Sequence, residues 1–247
     1  MTSPVSPKPV RAMPIYAEGN PFFSVVICTF NRAPLLPRAL DSLLAQVERD
    51  WEAIVVDDGS QDNTAQIMRD YTARHAQIRY MYHSNRGLSI SRNVGIFAAG
   101  GRYVTFLDSD DAFAPEHLHI RREILEADPS IDLLHGGCKL IGNPYVPDKH
   151  DPTRMLHLAD LIVGGTFVMP TEKLIAVGGF PLDAYSQDSY LYENVEARGM
   201  KIVKTDAPTY IYDRTSPDSM CNIVAAGGMD ALEAYQRTGQ VGTPASA

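Results

Sequence analysis

Long apolar runs are absent from this chain of 247 residues, and with them the roughly 20 consecutive apolar residues that a membrane-spanning helix needs. Residues Met1 to Asn20, broken by Pro4, Pro7, Pro9 and Pro14, also lack the hydrophobic block of a secretory leader. A cytoplasmic protein is the expectation, with peripheral attachment to a membrane or to a further copy of the chain left open. Cysteine is scarce: Cys28, Cys138 and Cys221 are odd in number, far apart and without a Cys-x-x-Cys pair, which argues against a disulfide framework or a zinc site. Positive charge is short as well. Lys and Arg total 22 against 30 Asp and Glu, a formal charge of −8, so no nucleic-acid partner held through its phosphates is expected.

Several signatures of nucleotide and hydrolytic enzymes are also missing. No Gly-x-Gly-x-x-Gly follows the first strand-like run, and no Walker loop ends in Gly-Lys-Ser/Thr, so dehydrogenase and P-loop readings fall. Gly87-Leu88-Ser89-Ile90-Ser91 lacks the glycine two residues after the serine that a nucleophile elbow requires. Glu116-His117-Leu118-His119 has no second histidine one helical turn on, so it reads as helix surface.

What is present is an alternation of short β-rich runs with longer amphipathic ones. Phe23 to Thr29 is a near-continuous apolar strand of the kind buried on both faces. A helix follows from about Pro34, with Leu36, Leu40, Leu43 and Leu44 at helical spacing. Strands are predicted at Glu52 to Val56 and Ile78 to Tyr82, with helices opened by Asp62 or Asn63 and by Ser89 or Ser91, the latter ending near Gly100-Gly101. A fourth strand, from Tyr103, stops at Asp108-Ser109-Asp110-Asp111. Repeated β-α units imply an α/β fold with a mostly parallel central sheet and helices on both faces.

Beyond Pro115 the pattern predicts a helix to about Ala127, strands at Ile131 to Leu134 and Thr166 to Met169, and a short helix at Thr171 to Val177. The stretch from Gly142 to Asp160 reads as a long loop of the type that forms lids or binding surfaces. The whole divides into an N-terminal arm (1–20), one domain (21–225, with halves 21–111 and 112–225) and a C-terminal tail (226–247).

In a parallel sheet, ligands gather at the carboxyl ends of the strands. The chemically loaded residues fall there: Thr29-Phe30-Asn31-Arg32, Asp57-Asp58, Asn85-Arg86-Gly87 and Asp108-Ser109-Asp110. Asp108 and Asp110 are two apart, so in an extended segment both leave one face and can share a divalent cation such as Mg or Mn. Such an ion would complete its shell with water and nucleotide phosphates. A solvated acidic turn is the alternative.

The runs 23–32, 55–60, 91–95 and 106–111, then Val177-Gly-Gly-Phe180 and Gln187-Asp188, together resemble the ordered motifs of family 2 glycosyltransferases with the GT-A fold. The resemblance spans about residues 22 to 215. It implies a metal-dependent, inverting transfer of a sugar from a nucleoside diphosphate donor to an acceptor hydroxyl, as in polysaccharide biosynthesis. By the same resemblance Thr29, Phe30 and Arg32 border the base and ribose, and Asp58 accepts hydrogen bonds from the base. A uracil or guanine edge offers N–H donors for that, so a UDP-sugar is the expected donor, ahead of a GDP- or dTDP-sugar. Arg92 matches a residue near the phosphates. Asp110 matches the principal metal ligand, and Asp108 reaches the metal through water or holds the ribose, with Ser109 between them.

Asp188 matches the catalytic base, which takes the acceptor's proton opposite the leaving group; an N-cap role is the alternative. Gln187 stands where most relatives carry Glu. Many relatives also carry a downstream His that helps hold the metal or diphosphate, and Arg214 lies near that place, expected to bind phosphate when a C-terminal loop closes. The acceptor is a glycan, a lipid-linked compound or a small molecule. Two other functions remain at this point: a sugar nucleotidyltransferase, although Thr29 to Pro37 contains no glycine to grip a triphosphate, and a non-catalytic nucleotide-binding partner in a glycan-assembly complex.

Overall fold

The computed structural model describes residues 19–238 apart from 149, 152, 183–185 and 217–218. The expected arm up to residue 18 and the last nine residues of the expected tail lie outside the described residues. The elements run β1 (Phe23–Thr29), α1 (Leu36–Leu44), β2 (Trp51–Asp57), α2 (Thr64–Arg74), β3 (Ile78–Tyr82), α3 (Leu88–Ala98), β4 (Tyr103–Phe106), β5 (Ala112–Phe113), α4 (His117–Ala127), β6 (Leu133–Ile141), β7 (Tyr145–Pro147), β8 (Met155–His157), β9 (Val168–Pro170), α5 (Thr171–Ala176), α6 (Gln187–Ala197), β10 (Ile202–Asp213) and α7 (Met220–Thr238).

Eight strands form one sheet in the order β3-β2-β1-β4-β9-β6-β10-β5, while β7 and β8 pair as a separate hairpin. β1 is parallel to both β2 and β4, β2 is parallel to β3, and β6 is parallel to β10. β9 inserts antiparallel between β4 and β6 and joins the two parallel blocks. Thus the mostly parallel α/β sheet expected from the alternation is present.

Side chains alternate across the central strands because successive residues leave opposite faces. Phe23, Val25 and Ile27 of β1 pack with Leu36, Leu40, Met68 and Leu118 from α1, α2 and α4. Val26 and Cys28 pack on the other face with Ile96, Leu174 and Leu191 from α3, α5 and α6. Two buried faces explain why β1 reads as an unbroken apolar run. Close approach of α3 depends on Gly95, since a Cβ there would lie 2.4 Å from Val26 Cγ1.

The register aligns the strand ends that carry chemistry. Thr29 lies beside Asp57, and β4 leaves the sheet at Phe106 beside Val26, so the acidic segment emerges next to the Thr29 loop. Asp57 and Asp111 are consumed structurally. Asp57 accepts from Ser60 N and Tyr80 OH, at 2.8 and 2.6 Å. Asp111 turns inward and accepts from Tyr210 OH at 2.6 Å and Asp213 N at 2.8 Å, tying the acidic turn to β10.

Elsewhere the boundaries move. Gly87, with φ of 90°, stands at the N-terminus of α3 in place of a serine cap. Asp62 closes the turn before α2, accepting from Thr64 N and Oγ1, while Asn63 makes no side-chain cap bond. β6 begins at Leu133 and extends to Ile141, and residues 164–166 form a 3-10 turn before β9. The expected loop from Gly142 to Asp160 folds in part as the β7–β8 hairpin, with Val146 opposite Leu156. Residues 226–238, assigned to a tail on sequence, continue α7 past a bend at Gly228, where φ is 70° and ψ is −165°. No helix among the described residues is long and apolar enough to cross a membrane.

Candidate active site

A cavity of about 550 Å³ opens at the carboxyl edge of the parallel block. Nine of the ten residues singled out from the sequence line it: Thr29, Phe30, Arg32, Asp58, Arg92, Asp108, Ser109, Asp110 and Asp188. They come from the ends of β1, β2 and β4 and from α3 and α6, so the topology alone assembles them.

Each acidic group has a defined partner. Arg32 Nη1 donates to Asp110 Oδ2 at 2.8 Å, and Arg92 Nη2 donates to Asp108 Oδ1 at 2.8 Å. Arg92 is buried, its guanidinium 4.9 Å from the Phe180 ring centroid, which replaces the alternative of a surface ion pair. Burial pushes the Asp110 carboxyl up, with Arg32 opposing and the Asp108 charge adding to the rise. Arg38 reaches the same turn, donating to the Asp110 carbonyl and to Asp213.

Among the described residues no group of three or more His, Cys, Asp or Glu side chains gathers as a metal cage. Asp108 and Asp110 supply two hard oxygen donors. They fit a cation that takes the rest of its shell from water and ligand phosphates, the arrangement Mg usually adopts.

Asp188 sits in the first turn of α6. Its Oδ1 accepts from Ser189 N at 2.9 Å and its Oδ2 from Gly164 N at 3.0 Å. The N-cap position itself belongs to Ser186, held at φ 59° in the left-handed region, so Asp188 is not the cap residue. Burial raises its proton affinity, while the nearby Arg92 charge and the two amides oppose that rise. A Cβ on Gly164 would lie 2.5 Å from Asp188 Cβ, so only glycine lets the two segments approach this closely.

Asp58 is placed in the cavity wall but is already engaged: Oδ1 accepts from Arg86 N at 2.7 Å and Oδ2 from Gly87 N at 2.9 Å. It therefore shapes the loop after β3, and His83 Nδ1 also lies 3.4 Å from Oδ1. Burial lifts the Asp58 pKa and those amides oppose the lift. Thr29 belongs to the cavity lining, while its Oγ1 is buried without a hydrogen-bond partner and is closed off from the cavity surface.

Arg214 is not in the cavity wall. It donates to the carbonyls of Asn143 and Tyr145 and, at 2.6 Å, to Asn222 Oδ1, and so fastens the β7–β8 hairpin to α7. Gln187 accepts from Ser89 Oγ at 2.6 Å, linking α6 to α3, which gives the departure from Glu a structural role. The sequence reading missed the contribution of α7. Arg32 Nε donates to Tyr235 OH at 3.3 Å and Asn85 Nδ2 to the Gln236 carbonyl at 2.6 Å, so the helix walls the end of the cavity nearest Asp58. It also missed Cys28, whose thiol burial pushes up to about 12. Neither had a local signal beyond the apolar spacing of Ile223, Val224, Leu232 and Tyr235.

A cleft at the strand ends of such a sheet, with paired acids beside arginines and one further half-buried carboxylate, defines the GT-A class of nucleotide-sugar-binding folds. The pattern of Glycosyl transferase family 2 matches residues 24–157, and the chain belongs to that family. It is 43% identical over 141 residues to the uncharacterized glycosyltransferase EpsJ of Bacillus subtilis, covering 55% of this chain and 40% of EpsJ. It is 33% identical over 232 residues to glycosyltransferase GlyA of Streptococcus pneumoniae, covering 85% of this chain and 33% of GlyA. The chain thus spans less than half of either relative.

Among solved structures, Staphylococcus aureus TarS (residues 1–349) in complex with UDP-GlcNAc superposes with a TM-score of 0.66 at 25% identity, over 78% of this chain and 59% of that one. The mannosyltransferase PcManGT of Pyrobaculum calidifontis in complex with GDP-Man and Mn2+ shares the fold, with a TM-score of 0.67 at 21% identity over 91% of this chain and 67% of that one.

Proposed function

We propose that the chain catalyses inverting transfer of a sugar from a nucleoside diphosphate sugar, with UDP as the preferred nucleotide, to an acceptor hydroxyl in glycan or polysaccharide assembly. The carrying observation is that Asp188 and the Asp108/Asp110 pair line one cavity with Arg92 among them. Thr29, Phe30 and Asp58 line the same cavity beside Arg32, a wall suited to a nucleoside. Membership of the family and the UDP-GlcNAc complex of TarS support the same reading.

In this reading Asp188, fixed by the amides of Gly164 and Ser189, accepts the acceptor's proton as its oxygen attacks the anomeric carbon. A proton affinity raised by burial suits that task, because the base then takes the proton more readily near neutral pH. Arg32 and Arg92, freed from their carboxylate partners by donor binding, face the diphosphate and offset its charge. A divalent cation, Mn or Mg, held by Asp110 with Asp108, would supply Lewis-acid stabilisation of the departing diphosphate. Three free thiols fit a reducing, cytoplasmic setting.

The test is release of nucleoside diphosphate from a panel of UDP-, GDP- and dTDP-sugars with Mn, for the wild type, Asp188→Asn and Asp110→Ala. Both variants are expected to lose turnover. Wild-type rates in both would overturn the mechanism, and turnover of a nucleoside triphosphate with a sugar phosphate instead would reassign the chemistry.

A further inference from the structure

The cavity has a second half that donor binding does not account for. Outward from Asp188 its wall is built by the β7–β8 hairpin, residues 158–163 and the start of α7. Val146 and Leu156, paired across the hairpin, face inward, and Leu158, Leu161, Tyr212 and Met220 continue the surface. The strip Leu161-Ile162-Val163 ends at Gly164, the residue whose amide holds Asp188. An apolar path therefore leads directly to the proposed base.

Charge narrows what fits there. Arg32 and Arg92 are the Lys or Arg residues among the described lining, and both sit on the donor side with Asp110 and Asp108. The outer half carries Asp160 and Glu193, with Asp148 paired to Arg154 at 3.8 Å and His150 beside it, so acidic groups outnumber basic ones there. Carboxylates accept hydrogen bonds from hydroxyl groups and repel phosphates. The hairpin's other face is also apolar in part, with Tyr145 47% and Met155 41% exposed, so a chain leaving the cavity meets further apolar surface.

Resting on the glycosyltransferase reading, we infer that the acceptor is a neutral glycolipid: an uncharged sugar head presented to Asp188, with an alkyl chain lying on Val146, Leu156 and Leu161. The carboxylates bind head hydroxyls, and the alkyl chain takes the apolar strip. No covalent step beyond glycosyl transfer is involved.

The experiment titrates methyl, phenyl and octyl glycosides of several neutral sugars into the full chain by calorimetry, with and without UDP and Mn. Burying only two of the additional methylenes favours octyl over methyl by more than about tenfold, at roughly fourfold per methylene. Leu156→Asp is expected to abolish that preference while UDP still binds, which shows the variant folded. Equal affinity of octyl and methyl forms, a preference confined to phenyl, or an octyl preference that survives Leu156→Asp overturns the inference. Failure of UDP to bind the wild type tells instead against the donor reading, and the alkyl preference is still measured on the free protein.

Discussion

Two carboxylates at opposite ends of the same parallel block, Glu52 fully buried and Asp188 half-buried beside the cavity, behave differently. Glu52, at the start of β2, accepts from Ser24 Oγ and Gly100 N, both at 2.7 Å, and from Arg79 Nη1 at 2.9 Å. It latches β1, β3 and the α3–β4 turn together. Asp188, beyond the opposite edge, has one amide on each oxygen and, among the described residues, no ion pair, and burial prevails in raising its proton affinity. A carboxylate saturated by fixed donors holds the fold, whereas one left with spare lone pairs beside a cavity is available to a substrate.

The contrast is broken most severely at Asp188, the proposed base. Asp188→Asn is expected to lower transfer by about 10³-fold, within the range for a general base, with the melting temperature little changed; steady-state kinetics and thermal denaturation read the two effects. Glu52→Gln should do the reverse: removal of one partner from a buried ion pair costs about 3 kcal/mol by urea denaturation, while the folded fraction keeps its turnover. Gly164→Ala forces Asp188 aside, and a shift of this kind is expected to lower kcat by about 10²-fold with donor affinity preserved.

Smaller effects sharpen the same difference. Because the base must be ionised, activity should fall with decreasing pH through a value above the ordinary Asp figure of 3.8, and the acid limb of the pH–rate profile checks this. In stability the sign is opposite. Asp188's contribution is complete below the ordinary value and fades as pH rises through the raised folded-state value, so Asp188→Asn should gain on the wild type as pH climbs. Thr29→Val removes a buried hydroxyl that has no partner, so stability by urea denaturation should hold or rise.

The sheet half up to Asp111 was legible because strands buried on both faces read as unbroken apolar runs and stop abruptly at charged residues. Convergence of Thr29, Asp58 and Asp110 followed from placing those stops on one edge, whereas Asp188 was reached only through the family resemblance. The hairpin was hidden, since strands of three residues carry no periodicity. Helix α7 was concealed by Gly227-Gly228, which reads as a stop although the chain only bends there. The place of Arg214 outside the cavity wall was hidden for another reason: its partners at Asn143 and Tyr145 are backbone carbonyls about 70 positions away, and backbone acceptors leave no trace in side-chain pattern.

The bend at Gly228 also divides labour within one segment. Upstream, Met220 belongs to the apolar wall; downstream, Tyr235 and Gln236 touch Arg32 and Asn85 beside the proposed nucleotide end. A truncation at that glycine would spare the whole scaffold of strands yet unroof one end of the cleft, so a shortened variant could pass every test of folding and still fail to retain its donor.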